Sequence, residues 1–520
     1  MRIGLISREY PPDTGWGGIG AYTFQHAHSL MKLGHDVQVI CLTKRDVECE
    51  HDPAPTVETD EASGGTLTIN RVVWGHLLTR WILILATKPN THHAVKAALA
   101  LWQKVLTLHN EKPFDVLEAP DHLAEAIFPA LTKLAPLVIR IHTPFSKFVQ
   151  EGYHNLANAF DNQMVGHLER LSMLQADLLS SPSVDMAKYV AGDTGISLDE
   201  IAIVRNPVDI KVFTPDGEKA SIPGHKPEEK IVFFAGRLEA RKGIHYLIDA
   251  IPTVLESHPQ TRFVIVGADT KTAAGAGSVL EELKAKLRAN LKNAGDLEKI
   301  NFISHVALSD MPKYYRLADI CCVPSLYDNA PYTVLESLAS GKPVIGSTAG
   351  GTPEYIDNGV DGLHVNKADA RDLASKINLL LADDVKRADF AKQSRHIAET
   401  RYSTEVIAKE AVASYQKATA LWQEKKAAAL YKQPPERLVR DLDAMLYSYH
   451  ENLDELAKLV SIRYRMRPWR AMLLTRPKLF AASLFLVVSK GCAGILGKPQ
   501  RFMDYLKQLE TRIESAKLSG

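Results

Sequence analysis

The chain has 520 residues, of which 46% are hydrophobic and 24% are charged, and its formal net charge is +1. This length is too great for one hydrophobic core and predicts two or more domains of an ordinary globular protein. The balanced charge gives no reason to expect a nucleic-acid partner, and the five cysteines show neither metal-ligand spacing nor a disulfide framework. The opening residues, MRIGLISREYPP, indicate a strand and a loop rather than a signal peptide, so we expect a cytoplasmic protein.

Apolar strands alternate with helices along the first part of the chain. Strands are predicted for RIGLIS, HDVQVICL, FDVLEAP, APLVIRIH and ADLLSSPS, and helices for residues 19–33, 122–134 and 155–175. This alternation is typical of a parallel, doubly wound sheet. A stretch rich in Pro, Gly, Lys and Glu over residues 207–230 then predicts a linker. A second series follows with KIVFFAGRL, TRFVIVGAD, KINFISHV and ADICCVPS, so we expect two such sheets with a cleft and a site between them.

A glycine-rich loop, EYPPDTGWGGIG, lies between the first strand and the first helix. Its glycines, Gly15, Gly17, Gly18 and Gly20, permit close approach of the backbone, and the N-terminus of the following helix favours an anion. A tight turn with no ligand explains such a loop equally well.

The segment FFAGRLEARKG at the start of the second series carries two cations. Arg237 comes just after a strand, and Lys242 follows five residues later. Cations at this edge of a sheet suit the binding of a nucleotide diphosphate. When such a diphosphate acts as a leaving group, the cations stabilise the negative charge that develops on it. The alternative is a solvated basic loop beside Glu239.

The stretch PSLYDNAPYTVLESLASGKPV, residues 324–344, contains two acids eight positions apart, Asp328 and Glu336. We expect Asp328 and Asn329 to cap the following helix and Glu336 to lie near its exposed start. Ligands of open α/β sheets bind beyond the strand ends, where two acids can accept hydrogen bonds from sugar and ribose hydroxyls. The alternative is a capping acid and a solvated helix acid.

Three candidates lie at strand ends of the first series. His142 ends the strand PLVIRIH, and Asp121 and His122 follow DVLEAP. A lone histidine is more often structural than catalytic, but this edge of the sheet faces the expected cleft. Asp121 and His122 are weaker candidates for the acceptor side.

Taken together, these motifs resemble the retaining glycosyltransferases of family four, of the "glycosyl transferases group 1" type, over about residues 1–420. That family usually has Glu at both acidic positions; here Asp328 replaces the first, whereas Glu336 and the ending SGKPV match. The resemblance implies the GT-B fold, an α/β architecture of two Rossmann-like doubly wound domains that face a cleft. The implied divisions are an acceptor-side domain 1–206, a donor domain 207–400, a helix 401–426 that crosses back, and a mainly helical extension 427–520.

The resemblance also implies roles in binding the donor. Arg237 and Lys242 would hold the diphosphate, Glu336 the ribose, and Asp328 together with His142 the sugar. Backbone contacts would come from three further segments: Gly17 and Gly18 at the phosphates and acceptor, the backbone around Val306 at the base, and Gly350, Gly351 and Thr352 near the phosphates. No cofactor or metal is implied.

We therefore predict a retaining, metal-independent hexosyltransferase. It would move a hexose from a UDP- or GDP-linked donor to an acceptor hydroxyl of unknown identity, in the synthesis of a cell-surface glycan, a glycolipid or a glycosylated metabolite. Front-face attack, with the leaving phosphate taking the acceptor's proton, would give retention. Two alternatives stay open: a sucrose-like synthase with a small soluble acceptor, and a catalytically silent scaffold.

The C-terminal region carries a basic and apolar segment that the resemblance does not explain. Ten Lys or Arg and no Asp or Glu occur from Leu456 to Met503. The apolar run from Leu479 to Val488 is too short to span a bilayer. Our hypothesis is peripheral contact with an anionic membrane surface, and a chain that ignores anionic vesicles would contradict it. The alternative is a helical hairpin packed on the catalytic domains or on a dimer partner.

Overall fold

The structure is a computed structural model that describes residues 1–14, 17–44, 51–74, 89–152, 159–271, 277–304 and 306–428. These residues belong to one compact unit, Met1–Gln433. Within it, two β-sheets follow each other along the chain, and each carries helices on both faces. The predicted α/β class is therefore confirmed.

The first sheet has eight strands in the order β3-β4-β2-β1-β5-β6-β7-β8. Neighbouring strands are parallel except β3 and β4, which are antiparallel. The strands are β1 Arg2–Ile6, β2 Asp36–Leu42, β3 Thr56–Thr59, β4 Thr66–Val72, β5 Val116–Pro120, β6 Leu137–Arg140, β7 Leu178–Ser181 and β8 Ile201–Ile203. The helices of this region are α1 Gly18–Lys32, α2 Pro89–Glu111, α3 Ile127–Thr132, α4 Phe145–Gln150, α5 Ala159–Leu174 and α6 Val184–Thr194.

The second sheet has six parallel strands in the order β11-β10-β9-β12-β13-β14. The strands are β9 Lys230–Ala235, β10 Thr261–Val266, β11 Ile300–Ile303, β12 Ile320–Val323, β13 Val344–Ser347 and β14 Gly362–Val365. The helices are α7 Ile244–Ser257, α8 Val279–Asn290, α9 Met311–Leu317, α10 Tyr332–Ala339, α11 Ala370–Ala382 and α12 Asp384–Ile397. The strand order reverses between β9 and β12, and in such sheets ligands bind outside the strand ends at this point.

Two sequence predictions about helices are wrong. The predicted helix 122–134 is instead a 3₁₀ turn, His122–Ala124, followed by the short α3, because Leu123 and Ala124 have φ angles of 51° and 53° that an α-helix does not admit. Asp328 and Asn329 do not cap α10, which begins at Tyr332 directly after Pro331. Both side chains bond elsewhere, as described below.

Helix α13, Thr404–Ala427, packs on the first sheet although it follows the second in the chain. Its Ile407 and Ala411 are buried with Leu5 of β1. The hydroxyl of Tyr415 donates a hydrogen bond to Glu118 Oε2 on β5 over 2.8 Å. The helix therefore ties the end of the described chain to the centre of the first sheet.

The proposed divisions at 206, 400 and 426 stay predictions. From residue 429 onward the chain lies outside the described residues, and with it nearly all of the predicted extension 427–520 and the whole of 456–503. In the part of the chain that the structure describes, no helix is long and apolar enough to cross a membrane.

We expect Tyr415→Phe to lower the free energy of unfolding by about 1–3 kcal/mol, because the buried carboxylate of Glu118 loses one of its hydrogen-bond donors. Urea unfolding measures this change. The matched control is Gln416→Ala on the exposed side of the same helix, which should change stability by less than about 0.5 kcal/mol. Equal effects in the two variants would contradict the role given to the tyrosine hydroxyl.

Candidate active site

A cavity of about 400 Å³ lies where the loops beyond the strands of the two sheets meet. Residues from both regions line it. From the first region these include Gly17, Gly18, Ile19, Ala21, His122, His142, Thr143, Phe148, Pro182 and Asn206. From the second region they include Arg241, Lys242, Leu308, Asp328, Asn329, Ala330, Pro331, Tyr332, Thr333 and Glu336.

Close packing of two loops places the cations of the second region at the cavity. Gly243, after β9, has a φ angle of 70°, and a Cβ atom there would lie 1.8 Å from the carbonyl oxygen of Pro324, after β12. Only glycine allows this approach. The Leu326 N–H also donates to the Arg241 carbonyl over 2.8 Å. Arg241 and Lys242 are therefore held beside the loop that carries Asp328.

An ion cluster joins these two loops. Lys242 Nζ lies 2.6 Å from Asp328 Oδ2, and Arg241 Nη1 lies 3.8 Å from the same oxygen. Burial acts to raise the pKa of Asp328, but the charges of Lys242 and Arg241 outweigh it and hold this pKa below its usual value. Asp328 is thus an ionised carboxylate that neutralises the cations of the cavity.

Glu336 lies one turn into α10 and is half-buried, not near an exposed helix start as expected. Its Oε2 accepts a hydrogen bond from the Tyr315 hydroxyl over 2.5 Å. Burial raises the pKa of Glu336 to about 7, although the Tyr315 bond and the charge of Lys242 act to lower it. Near neutral pH this carboxyl is therefore present in both protonation states.

His142 is the histidine that follows β6, and burial lowers its pKa well below the usual value, with the charge of Arg140 acting in the same direction. It is therefore neutral near pH 7. Its backbone N–H donates to Asp121 Oδ1 over 2.9 Å, and its ring packs edge-on against Tyr22 with 5.3 Å between centroids. Gly17 and Gly18, at the start of α1, line the cavity on the same side.

Asn329 joins the two sides of the cavity. Its Nδ2 donates to the backbone carbonyl of His142, and its Oδ1 accepts from the Ser183 hydroxyl over 2.5 Å. Gly351 packs against this loop, because a Cβ atom on it would lie 1.9 Å from the Asn329 carbonyl oxygen. The loop that carries Asp328 is thus bonded through Asn329 to the strand end that carries His142.

The structure brings together seven of the residues predicted for the site. These cavity-lining residues are Gly17, Gly18, His122, His142, Lys242, Asp328 and Glu336. Gly15 lies outside the described residues.

Seven other predicted residues are described but do not line the cavity: Gly20, Asp121, Arg237, Val306, Gly350, Gly351 and Thr352. The Arg237 side chain is 63% exposed and pairs with Glu239 over 3.3 Å. The N–H of Gly351 donates to the Asp328 carbonyl over 2.9 Å and so supports the loop that carries Asp328, and Thr352 is fully buried. Asp121 is buried beneath His142.

Sequence reasoning missed Arg241 and Asn329. Arg241 directly precedes Lys242, and this neighbouring position was an available signal. Asn329 was read as a helix cap, whereas its partners His142 and Ser183 lie 187 and 146 positions away in the chain. No local pattern predicts such contacts.

Within the described residues, no group of three or more His, Cys, Asp or Glu side chains is arranged to hold a metal ion. Independence of a metal remains a prediction.

Two family models match the chain along nearly the whole described region. Residues 16–212 match "Glycosyltransferase Family 4" and residues 216–397 match "Glycosyl transferases group 1". The chain therefore belongs to the glycosyltransferases that these models describe, as the sequence motifs predicted.

Known proteins are similar to this chain in sequence or in fold. The glycogen synthase of Mycobacterium tuberculosis is 27% identical over 418 residues, which are 78% of this chain and 92% of that protein. The structure of sucrose-phosphate synthase from Thermosynechococcus elongatus superimposes with a TM-score of 0.62 and 22% identity, over 81% of this chain and 99% of that one. The protein HepE of Anabaena, solved in complex with UDP and glucose, gives a TM-score of 0.55 and 18% identity, over 80% and 99%. These structural likenesses confirm the predicted GT-B fold.

We expect Asp328→Asn to strengthen the binding of inorganic pyrophosphate by about tenfold, because the carboxylate that competes for Lys242 and Arg241 is removed. Isothermal titration calorimetry measures the affinity. Glu282→Gln, on an exposed position of α8, makes the same change in charge and should leave the affinity unaltered. Weaker binding by Asp328→Asn would instead show that the carboxylate orients the cations for the anion.

Proposed function

We propose that this glycosyltransferase is a retaining enzyme that moves a hexose from a nucleotide diphosphate sugar to an acceptor hydroxyl. The observation that carries the proposal is the composition of the cavity. Two cations, two carboxylates with different pKa values, a neutral histidine and a helix N-terminus line a single space of about 400 Å³.

The diphosphate of the donor would be bound by Lys242, by Arg241 and by the N-terminus of α1. Lysine and arginine are the side chains that hold phosphate oxygens, and a helix N-terminus adds backbone N–H donors. Arg237 is proposed to join them, since its exposed ion pair with Glu239 is weak and costs little to break. These groups would stabilise the negative charge that develops as the diphosphate leaves.

The sugar and the ribose would be bound by the acids and the histidine. When the diphosphate takes Lys242, Asp328 is released to accept a hydrogen bond from a sugar hydroxyl. Glu336 would accept from the ribose hydroxyls, and neutral His142 would bond to the sugar near the reacting carbon.

The reaction would then follow front-face displacement. The bond between the anomeric carbon and the diphosphate oxygen breaks, the acceptor oxygen bonds to the same face, and its proton passes to the departing diphosphate. The protein would contribute positioning and electrostatic stabilisation. His122, which lines the cavity, and Asp121, which is buried and bonded to the His142 N–H, are proposed for the acceptor side.

The acceptor and the biological role are open to two readings. A cell-surface glycan, glycolipid or glycosylated metabolite, with membrane contact through residues 456–503, remains our hypothesis. The likeness to sucrose-phosphate synthase favours a second candidate, a synthase with a small soluble acceptor. A silent scaffold is disfavoured, because the ion cluster of Lys242, Arg241 and Asp328 is complete. A cytoplasmic location also remains a prediction.

We expect selective turnover of one nucleotide sugar when UDP-, GDP- and ADP-linked hexoses are compared by release of the nucleotide diphosphate. UDP-glucose is the first donor to test, given the UDP and glucose complex of HepE. Lys242→Ala should lower kcat by about 100-fold, since a charge that stabilises the leaving group is lost. Glu336→Ala and Arg237→Ala should raise the KM for the donor.

The control for this experiment is Lys292→Ala, which removes a lysine that is 78% exposed on the same half of the chain. It should leave kcat and KM unaltered. A protein that binds and turns over none of these sugars would refute the enzymatic proposal and favour the scaffold.

We also expect the affinity for UDP-glucose to rise as the pH increases from 6 to 8. The pKa of Glu336 is raised to about 7, and only its ionised form accepts hydrogen bonds at both oxygens from the ribose, so donor binding is weakened below this pH. Calorimetry at several pH values measures the midpoint. Glu336→Gln should abolish the dependence, and Tyr315→Phe should move the midpoint upward because a bond to the ionised form is lost. A profile unchanged in Glu336→Gln would assign the titration to another group.

A further inference from the structure

One buried carboxylate connects two loops of the first region that line the cavity. These are the turn after β5, which carries His122, and the segment after β6, which carries His142 and Thr143. The carboxylate belongs to Glu169 on α5, and its side chain is fully buried. Neither the sequence motifs nor the proposed reaction uses this residue.

The two oxygens of Glu169 are divided between the two loops. Oε1 accepts the backbone N–H of Leu123 over 2.7 Å, and Oε2 accepts the backbone N–H of Phe145 over 2.6 Å. Each bonded residue lies within three positions of a cavity-lining histidine. Glu169 therefore bridges the His122 turn and the His142 segment, beside the second link that Asp121 Oδ1 makes to the His142 N–H.

The turn that Glu169 holds is strained. Leu123 and Ala124 have φ angles of 51° and 53°, in the left-handed region that residues with a Cβ atom seldom adopt. Such conformations persist only where the surrounding structure imposes them, and they cluster at functional sites. The bond from the Leu123 N–H to Glu169 is made at the strained position itself.

We propose that Glu169 is a positioning residue for glycosyl transfer, which holds the His122 turn and the His142 segment in place where they line the cavity. The inference rests on the proposed function, because it assumes that these histidines meet the substrates. Glu169 itself acts through the loops and does not line the cavity.

The same helix offers a matched control for a purely structural role. Asp161 is also buried and also accepts two backbone N–H groups, from Asn90 over 2.8 Å and from Thr91 over 3.0 Å. Those residues begin α2 and do not line the described cavity. Glu169→Gln and Asp161→Asn therefore remove the same kind of interaction from one helix, and only the first touches the site.

The experiment compares the two variants in the full chain by hydrogen exchange, UDP-glucose turnover and UDP affinity. Glu169→Gln should speed exchange of the Leu123 and Phe145 amides by about tenfold or more and leave those of Asn90 and Thr91 protected, and Asp161→Asn should do the reverse. Both should lower the melting temperature. Only Glu169→Gln should lower kcat, by about tenfold or more, with UDP affinity within about twofold of wild type.

Two results would overturn the proposal. One is an equal loss of kcat in both variants, which assigns the effect to general stability. The other is an unchanged kcat in Glu169→Gln despite faster exchange at Leu123, which shows that the loops need no such support. A wild type without any turnover refutes the proposed function instead, and the exchange data then still decide whether Glu169 holds the loops.

A rescue variant keeps the test decisive if Glu169→Gln folds poorly. Glycine adopts φ angles near 53° without strain, so Ala124→Gly lowers the cost of the turn that Glu169 imposes. The double variant Glu169→Gln/Ala124→Gly should recover kcat by about threefold or more over Glu169→Gln, or, where that protein does not fold, should itself fold with reduced kcat. Full wild-type kcat in the double variant would contradict a positioning role for the carboxylate.

Discussion

The ion pair between Lys242 and Asp328 holds together the part of the cavity that the second region forms. It joins the loop after β9 to the loop after β12, at the point where the strand order of the sheet reverses. The glycine at position 243 makes this contact possible, because any side chain there would meet the backbone of Pro324. The pair also neutralises part of the positive charge of Lys242 and Arg241, so an anion that binds these cations has to compete with Asp328 for Lys242.

Burial and neighbouring charges give three titratable groups of the cavity different charge states. His142 is neutral, Asp328 stays ionised beside its cations, and Glu336 titrates near neutral pH. The carboxyl groups of Asp328 and Glu336 thus differ in charge state because their neighbours differ. Asn329, in the loop that carries Asp328, donates a hydrogen bond to the backbone carbonyl of His142. The loop that carries Asp328 is therefore connected by a direct contact to the strand end that carries His142.

Much of the fold could be predicted from the sequence, because alternating apolar strands and helices are local patterns. Helix α1 and strands β1, β2, β9 and β10 were predicted near their observed bounds. Strands β3 and β4 were missed, since TVET has only four residues and TLTINRV is rich in polar residues. The helix predicted over 122–134 is interrupted at Leu123 and Ala124, whose positive φ angles no local propensity indicates and whose turn is bonded to Glu169, 46 positions away in the chain.

The sequence by itself determined the class of protein, the two-sheet architecture and the motifs with Lys242, Asp328, Glu336 and His142, because these depend on residue types at short spacing. Only the tertiary structure decided that Arg241 lines the cavity whereas Arg237 stays exposed, and that Asp328 pairs with Lys242 rather than capping a helix. It alone placed Glu169 against Leu123 and Tyr415 against Glu118, across 46 and 297 positions of chain. The physical reason is that burial, charge pairing and backbone strain arise from neighbours in space, and those neighbours exist only once the chain has folded.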